Sequence, residues 1–158
     1  MSDGLFLARA TEADVEALAA LASACHSHPW TRAQIAREVA AGPPGAVLVL
    51  RAARGPVPVC GSCAYRVFAG EMEVLDVSVH PGWRRRGLGR FLVAHALGRG
   101  WRAGAAVARL EVRAGNLAAL SLYELLGFRR RGVRRGYYVQ PVEDAILMDH
   151  ASIGRFGR

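Results

Sequence analysis

Val77-Ser78-Val79-His80-Pro81-Gly82-Trp83-Arg84-Arg85-Arg86-Gly87-Leu88-Gly89-Arg90 passes from a β-branched strand pattern, through a proline-glycine turn, into a basic loop with two glycines. Leu88, Phe91, Leu92 and Ala96 then mark one face of a helix that Gly98 or Gly100 is expected to end. A strand joined to a helix by such a loop aims backbone N–H groups at the space above the helix start. The helix N-terminus adds a partial positive charge there, and glycines let a bulky anion come close. The stretch therefore predicts a phosphate or pyrophosphate site inside a mixed α/β fold.

Three kinds of phosphate loop fit that outline. A Walker loop needs a lysine before Ser or Thr, and the chain has none, because all 21 of its Lys and Arg positions are arginine. A dinucleotide fingerprint needs a third glycine, which Gly87-Leu88-Gly89-Arg90-Phe91-Leu92 lacks. What remains is R-x-x-G-x-G, here Arg84-Arg85-Arg86-Gly87-Leu88-Gly89.

Upstream, Leu5 to Ala10 reads as a strand, and Thr11-Glu12-Ala13-Asp14 opens a helix through Ala24. Thr31-Arg32-Ala33-Gln34 is a second capping box, opening a helix that Gly42-Pro43-Pro44-Gly45 stops after Ala41. Ala46 to Ala52, Val57 to Phe68 and Glu71 to Val79 read as an antiparallel meander. Downstream come a strand from Val107 to Val112, a helix from Leu117 to Leu126 closed by Gly127, and a strand from Phe128 to Arg134. Ala145 to Met148 is expected to close the sheet. The order implies one α/β domain over residues 1–158, with a mixed, mostly antiparallel sheet and helices on both faces.

With 158 residues and 52% hydrophobic content, the chain has enough apolar material for one core and too little length for two. The net charge of +8 invites a nucleic-acid reading, and Arg84 to Arg86, Arg129 to Arg131 and Arg134-Arg135 could attract acidic ligands. An all-arginine set reads equally as compositional bias, so no dedicated nucleic-acid partner is expected. Met1 to Arg9 shows no basic stretch followed by an apolar one, and no apolar run approaches the roughly 18 residues of a membrane span. A cytoplasmic chain without a membrane partner is the expectation. Cys60 and Cys63 form C-x-x-C, but residues three apart on a strand face opposite ways, so no shared metal or disulfide is expected. His95 is expected to pack on the apolar face of its helix. His26, His28 and His80 have no metal-ligand spacing.

Strand, basic glycine loop, helix, strand, Asn116 and a tyrosine-bearing helix follow in an order that resembles the GNAT superfamily of N-acetyltransferases, from about Leu5 to Met148. The resemblance implies acetyl-CoA as cosubstrate and no metal. It also implies a cofactor site made by Val77, Ser78 and Val79, by Arg84, Arg85, Arg86, Gly87, Leu88, Gly89 and Arg90, and by Asn116 and Tyr123. Backbone N–H groups near Val77 to Val79 would stabilise the oxyanion. His28-Pro29-Trp30-Thr31, Leu110-Glu111-Val112-Arg113, Leu122-Tyr123-Glu124, Arg134-Arg135-Gly136-Tyr137-Tyr138 and Glu143-Asp144-Ala145 are similar to the bacterial RimI type. That type acetylates the N-terminal alanine of a small-subunit ribosomal protein. Gly136 and Val139 depart from it, standing where Asn and Pro are usual.

By this resemblance Glu111 is the general base, Tyr123 protonates the leaving thiolate, and Trp30, Tyr137 and Tyr138 hold the acceptor. Glu71 and Glu73 are the competing bases, and Glu111 could instead simply pair with Arg113 on its own face. Tyr123 could be a half-buried core residue and Asn116 only a helix cap. An α-amine suits a modest base. With reference pKa values near 8 and 10.4, roughly 10% of an α-amine but about 0.04% of a lysine is neutral at pH 7. Another N-terminus, a lysine or a small amine remains an alternative acceptor. An acetyl-CoA sensor or an RNA-associated module is the alternative from outside enzymes.

Overall fold

Alternating side chains along Ala46–Ala52 divide the molecule into two apolar layers. Ala46, Leu48 and Leu50 face one core, and Val47 and Val49 face the other. A strand buried on both sides needs helices on both sides. The computed structural model describes residues 4–158, so the first three residues of the Met1–Arg9 stretch lie outside the described residues. Its strands are β1 (Leu5–Arg9), β2 (Ala46–Ala52), β3 (Val59–Phe68), β4 (Glu71–Val79), β5 (Val107–Arg113), β6 (Arg129–Tyr138) and β7 (Glu143–His150). The helices are α1 (Val15–Cys25), α2 (Arg32–Ala41), α3 (Leu88–Arg102) and α4 (Leu117–Leu126).

The seven strands form one sheet in the order β1-β2-β3-β4-β5-β7-β6, antiparallel throughout except for the β4–β5 pair. Helices α3 and α4 fill one face, where Leu92, Val93, Ala96, Leu97, Leu120 and Leu126 pack against Leu48, Met72 and Met148. On the other face α1 and α2 pack with Val47, Val49 and Ala64 over the β2 to β4 half. Among the described residues no helix is long and apolar enough to cross a membrane.

Several expectations change. Strand β7 lies between β5 and β6, so the edge belongs to β6, and both strands run further than the segments read from sequence. Strand β3 starts at Val59 rather than Val57. A register skip opposite Leu50/Arg51 there turns Cys60 to the same core as Cys63, so the opposite-face argument fails, although both thiols are free. Gly98 and Gly100 do not end α3. They sit within it, where a side chain would collide with the Phe156 carbonyl and with Met72 respectively. His95 is exposed and lies against the Phe91 ring at 4.0 Å, outside the core.

The Thr11 box forms a single 3-10 turn, Glu12–Asp14, ahead of α1. Asp14 is buried. Its Oδ2 accepts the Thr11 N–H at 2.8 Å, and its Oδ1 pairs with Arg51 of β2, which ties the helix start to the sheet. Burial opposes the charged carboxylate, but the Thr11 N–H and the Arg51 guanidinium outweigh it and hold the carboxyl below its usual range. A depressed carboxyl stabilises the fold above its unfolded value, about pH 4, and loses that contribution as pH falls through the folded value. Asp14→Ala should cost about 2 kcal/mol at neutral pH. Its denaturation curves should converge on those of the wild type in acid, and a gap that persists in acid would refute this.

Candidate active site

Strands β4 and β5 pair over only three positions, Glu71 with Val107, Met72 with Ala108 and Glu73 with Arg109. Two local features then separate them. The β3–β4 register skips a residue between Ala64/Asp76 and Tyr65/Val74, so Leu75 is the extra residue of a bulge that bends β4. Meanwhile β5 follows β7 in unbroken register from Ala108/His150 to Arg113/Ala145. The two strands therefore open into a V beyond Glu73 and Arg109. Along that opening neither strand has the other as a ladder partner, so backbone groups of β4 beyond Val74 are available to an extended ligand.

The arginine-glycine loop stands at the open end of the V. A 3-10 turn, Pro81–Trp83, leads into it, with the Gly82 N–H donating to His80 Nδ1 at 3.1 Å. Trp83 is buried beneath the loop, and Arg86 lies over its ring at 4.6 Å. Arg85 and Gly87 both take left-handed backbone conformations, at φ +62° and +74°, and Gly87 caps α3. The first helical bond runs from the Phe91 N–H to the Gly87 carbonyl. The N–H groups of Leu88, Gly89 and Arg90 precede it and point out of the helix end. Leu88 is anchored in the core, and Gly89 passes close to Leu122 of α4. Arg84, Arg85, Arg86 and Arg90 are exposed, and Arg84 Nε donates back to the Val79 carbonyl at 3.3 Å. This cradle, with exposed cations and amides that have no bond partner among the described residues, lies beside an extended slot and fits a nucleotide pyrophosphate with a long amide-bearing arm.

Tyr123 and Glu111 flank the V from opposite faces. Tyr123 of α4 is buried in the α3/α4 core, edge-on to Phe128 at 5.7 Å. Burial, with Cys63, Asp76 and Tyr138 nearby, pushes its phenol well above the ordinary value, so it is a proton donor at neutral pH. Glu111 of β5 lies two residues past the last β4–β5 pair and lines a cleft of about 470 Å³ on the other face. Glu71, Glu73, Arg109, Arg131 and Arg134 also line it. The partner of Glu111 is Arg134 Nη2 at 3.5 Å. Arg113, considered for that role, instead pairs with Glu143 at 3.2 Å and lies over the Tyr138 ring at 4.0 Å. Among the competing carboxylates, Glu71 is held by Arg109 at 3.1 Å.

Asn116 caps α4, its side-chain oxygen accepting the Ala119 N–H at 3.2 Å, and its exposed position adjoins the end of β5. Tyr137 and Tyr138 end β6 and meet edge to face at 5.1 Å. Trp30, in the α1–α2 connection, lines a small hollow with Asp76 and Ser78. Val77 and Val79 point into the α3/α4 core, and Ser78 points the opposite way, where it meets Asp76 and His26. Sequence reading missed that pairing. Its only signal was a carboxylate set in the apolar strand Val74-Leu75-Asp76-Val77. Among the described residues no group of three or more His, Cys, Asp or Glu side chains could hold a metal ion.

The nearby charge on Glu111 is the chief cause that raises the Tyr137 phenol above its ordinary value. Glu111→Gln should therefore lower one of the chain's four tyrosine titrations, read by phenolate absorbance and assigned with Tyr137→Phe. An unchanged curve would show that the two side chains do not meet in solution.

Residues 15–128 match the acetyltransferase (GNAT) family model. Over 85 residues the chain is 44% identical to the [ribosomal protein bS18]-alanine N-acetyltransferase of Salmonella typhimurium, covering 52% of this chain and 57% of that protein. The chain thus spans little more than half the length of that curated relative. The crystal structure of the ribosomal-protein-S18-alanine N-acetyltransferase from Escherichia coli superposes with a TM-score of 0.81 at 30% identity, over 92% of each chain. Ard1 from Thermoplasma volcanium shares the fold, with a TM-score of 0.83 at 23% identity over 92% of this chain and 96% of that one. A family match over most of the chain and a homologous structure matched along nearly its whole length agree with the split sheet and its glycine loop: the chain belongs to the acetyltransferase (GNAT) family.

Proposed function

We propose that this chain, acting as a single catalytic domain, transfers the acetyl group of acetyl-CoA to the α-amine at a protein N-terminus. The favoured acceptor is the N-terminal alanine of a small-subunit ribosomal protein. The observation that carries the reading is the V between β4 and β5, with a protonated Tyr123 on one face and the Glu111 carboxylate on the other. The names of the relatives from Salmonella and Escherichia coli support the acceptor. Such an acceptor places the reaction in the cytoplasm and needs no membrane or nucleic-acid partner.

Acetyl-CoA, when bound, supplies an activated acetyl thioester. The N–H groups at the start of α3 and the exposed Arg84, Arg85, Arg86 and Arg90 bind its pyrophosphate, and Gly87 lets the loop pass close beneath. The open edge of β4 from Val77 to Val79, with Asn116 opposite, aligns the extended arm, and N–H groups of that edge face the carbonyl oxygen as it gains charge. Trp30, Tyr137 and Tyr138 frame the acceptor backbone. Glu111 takes a proton from the attacking nitrogen, directly or through water, while Arg134 holds its carboxylate in place. Tyr123 donates to the departing sulfur.

Turnover is followed as free thiol, using peptides that begin with Ala or Ser and an N-blocked peptide containing lysine. Free N-termini should react, with Glu111→Gln and Tyr123→Phe each lowering kcat by about a hundredfold. Reaction only with lysine or small amines would overturn the acceptor, and coenzyme A binding without turnover on any amine would overturn the enzyme reading. Gly87→Ala forces a β-carbon into a left-handed conformation at a cost of about 1 to 2 kcal/mol. Coenzyme A should then bind roughly tenfold more weakly by calorimetry. Unchanged affinity would remove Gly87 from the site.

A further inference from the structure

Three polar side chains interrupt the apolar layer under α1 and α2 at a single point. Ser78 is 2% exposed, and its Oγ donates to Asp76 Oδ2 at 3.1 Å. His26, the cap that follows α1, places Nε2 at 2.9 Å from Ser78 Oγ and 3.4 Å from Asp76 Oδ1. Around them are Leu18, Ala22, Ile35, Val47 and Ala64. Three mutually bonded polar groups in such surroundings cost desolvation without adding to packing, which calls for a use beyond stability.

Their position suggests that use. Asp76 directly follows the Leu75 bulge, where β4 turns away from β5, and its side chain is 26% exposed. With Ser78 and Trp30 it lines a hollow of about 20 Å³, room for roughly one water. At the other end of the cluster the His26 side chain is 34% exposed, so the three groups lead from the hollow beside Trp30 toward solvent.

The reaction proposed above leaves one proton unassigned. An acceptor arriving as R–NH3+ loses two N–H protons. When the N–C bond forms and the C–S bond breaks, Glu111 takes one proton from nitrogen and Tyr123 delivers one to sulfur. The proton recovered by Tyr123 balances the one taken by Glu111, which leaves the first ammonium proton to reach water. We infer that Asp76, Ser78 and His26 form the path for that first proton, with Asp76 accepting it from the acceptor ammonium and His26 passing it to solvent. The inference rests on the acetyltransferase reading. Asp76 is the catalytic member, and Ser78 and His26 act through it. Imidazole is the side chain best suited to exchanging protons with water near neutrality.

Burial raises the Asp76 carboxyl above its usual range, while His26 and the Ser78 hydroxyl partly oppose this, which brings it closer to the amine it would deprotonate. The other titratable groups near it are Cys25, whose thiol donates to the Val79 carbonyl, Arg84 at the same carbonyl and, across the strand, the Cys63 thiol and Tyr123 phenol, both of which sense the Asp76 charge.

The test is the pH dependence of kcat/KM on an alanine-initiated peptide for wild type, His26→Gln and Asp76→Asn, with coenzyme A binding and Tm measured alongside. Without the path only amine already neutral can react. The variants should lose about tenfold at neutral pH, and the deficit should close as pH passes the amine's own value near 8. Imidazole in the buffer should restore His26→Ala. A loss that is the same at every pH, no loss at all, or failure of imidazole to rescue would overturn the path. If wild type acetylates only another class of amine, the acceptor assignment falls, and the path stands or falls on the same profiles with that amine. If wild type turns over no amine, the enzyme reading falls and the path with it.

Discussion

The bulge at Leu75 is a small irregularity with large consequences. A regular β4 would continue its parallel ladder with β5 past Glu73, and the cleft between them would be filled by backbone hydrogen bonds. One extra residue turns β4 aside, while β5 is held on its other edge by six consecutive pairs with β7. The sheet is thereby opened from one side only. It also reverses the facing of β4: Met72 and Val74 look into the α3/α4 core before the bulge, and Val77 and Val79 do so after it. Without that reversal Asp76 and Ser78 would enter the apolar core and Val77 would leave it.

The split joins two environments that must stay different. On the α3/α4 side Tyr123 sits among Phe128, Leu120 and Val112, where burial keeps a phenol protonated. On the opposite side of β5, Glu111 stands among arginines and tyrosines beside open solvent. An acid and a base on the same face would pair with each other and lose much of their reactivity. Separated by the thickness of the sheet, they can meet only through a ligand lying in the gap.

How much of this could be read beforehand followed the range of the interactions. The loop from Arg84 to Arg90 was legible because glycine conformation and helix-end polarity are local properties, and the structure keeps Gly87 left-handed at the start of α3. The capping box at Thr31 was legible for the same reason, with Thr31 Oγ1 accepting the Gln34 N–H. Gly98 and Gly100 misled because what makes them glycine is the Phe156 carbonyl and Met72, which arrive from distant parts of the chain. The bulges at Cys60 and Leu75 left no local mark. The place of β7 inside the sheet, and the meeting of His26 with Asp76 fifty residues later, are likewise products of the assembled fold.

That strand order gives the arginine run a second meaning. Because β7 takes the interior position, β6 ends the sheet and presents Arg129, Arg130, Arg131, Arg134 and Arg135 along an open edge. An unpaired strand edge is a template on which a second chain can add. Two copies approaching edge to edge here would bring like-charged guanidinium groups together along the whole strand, while Glu124, Asp149 and Glu111 offset several of them only within their own chain. The basic stretch that suggested an acidic partner thus also disfavours the pairing of two copies along β6.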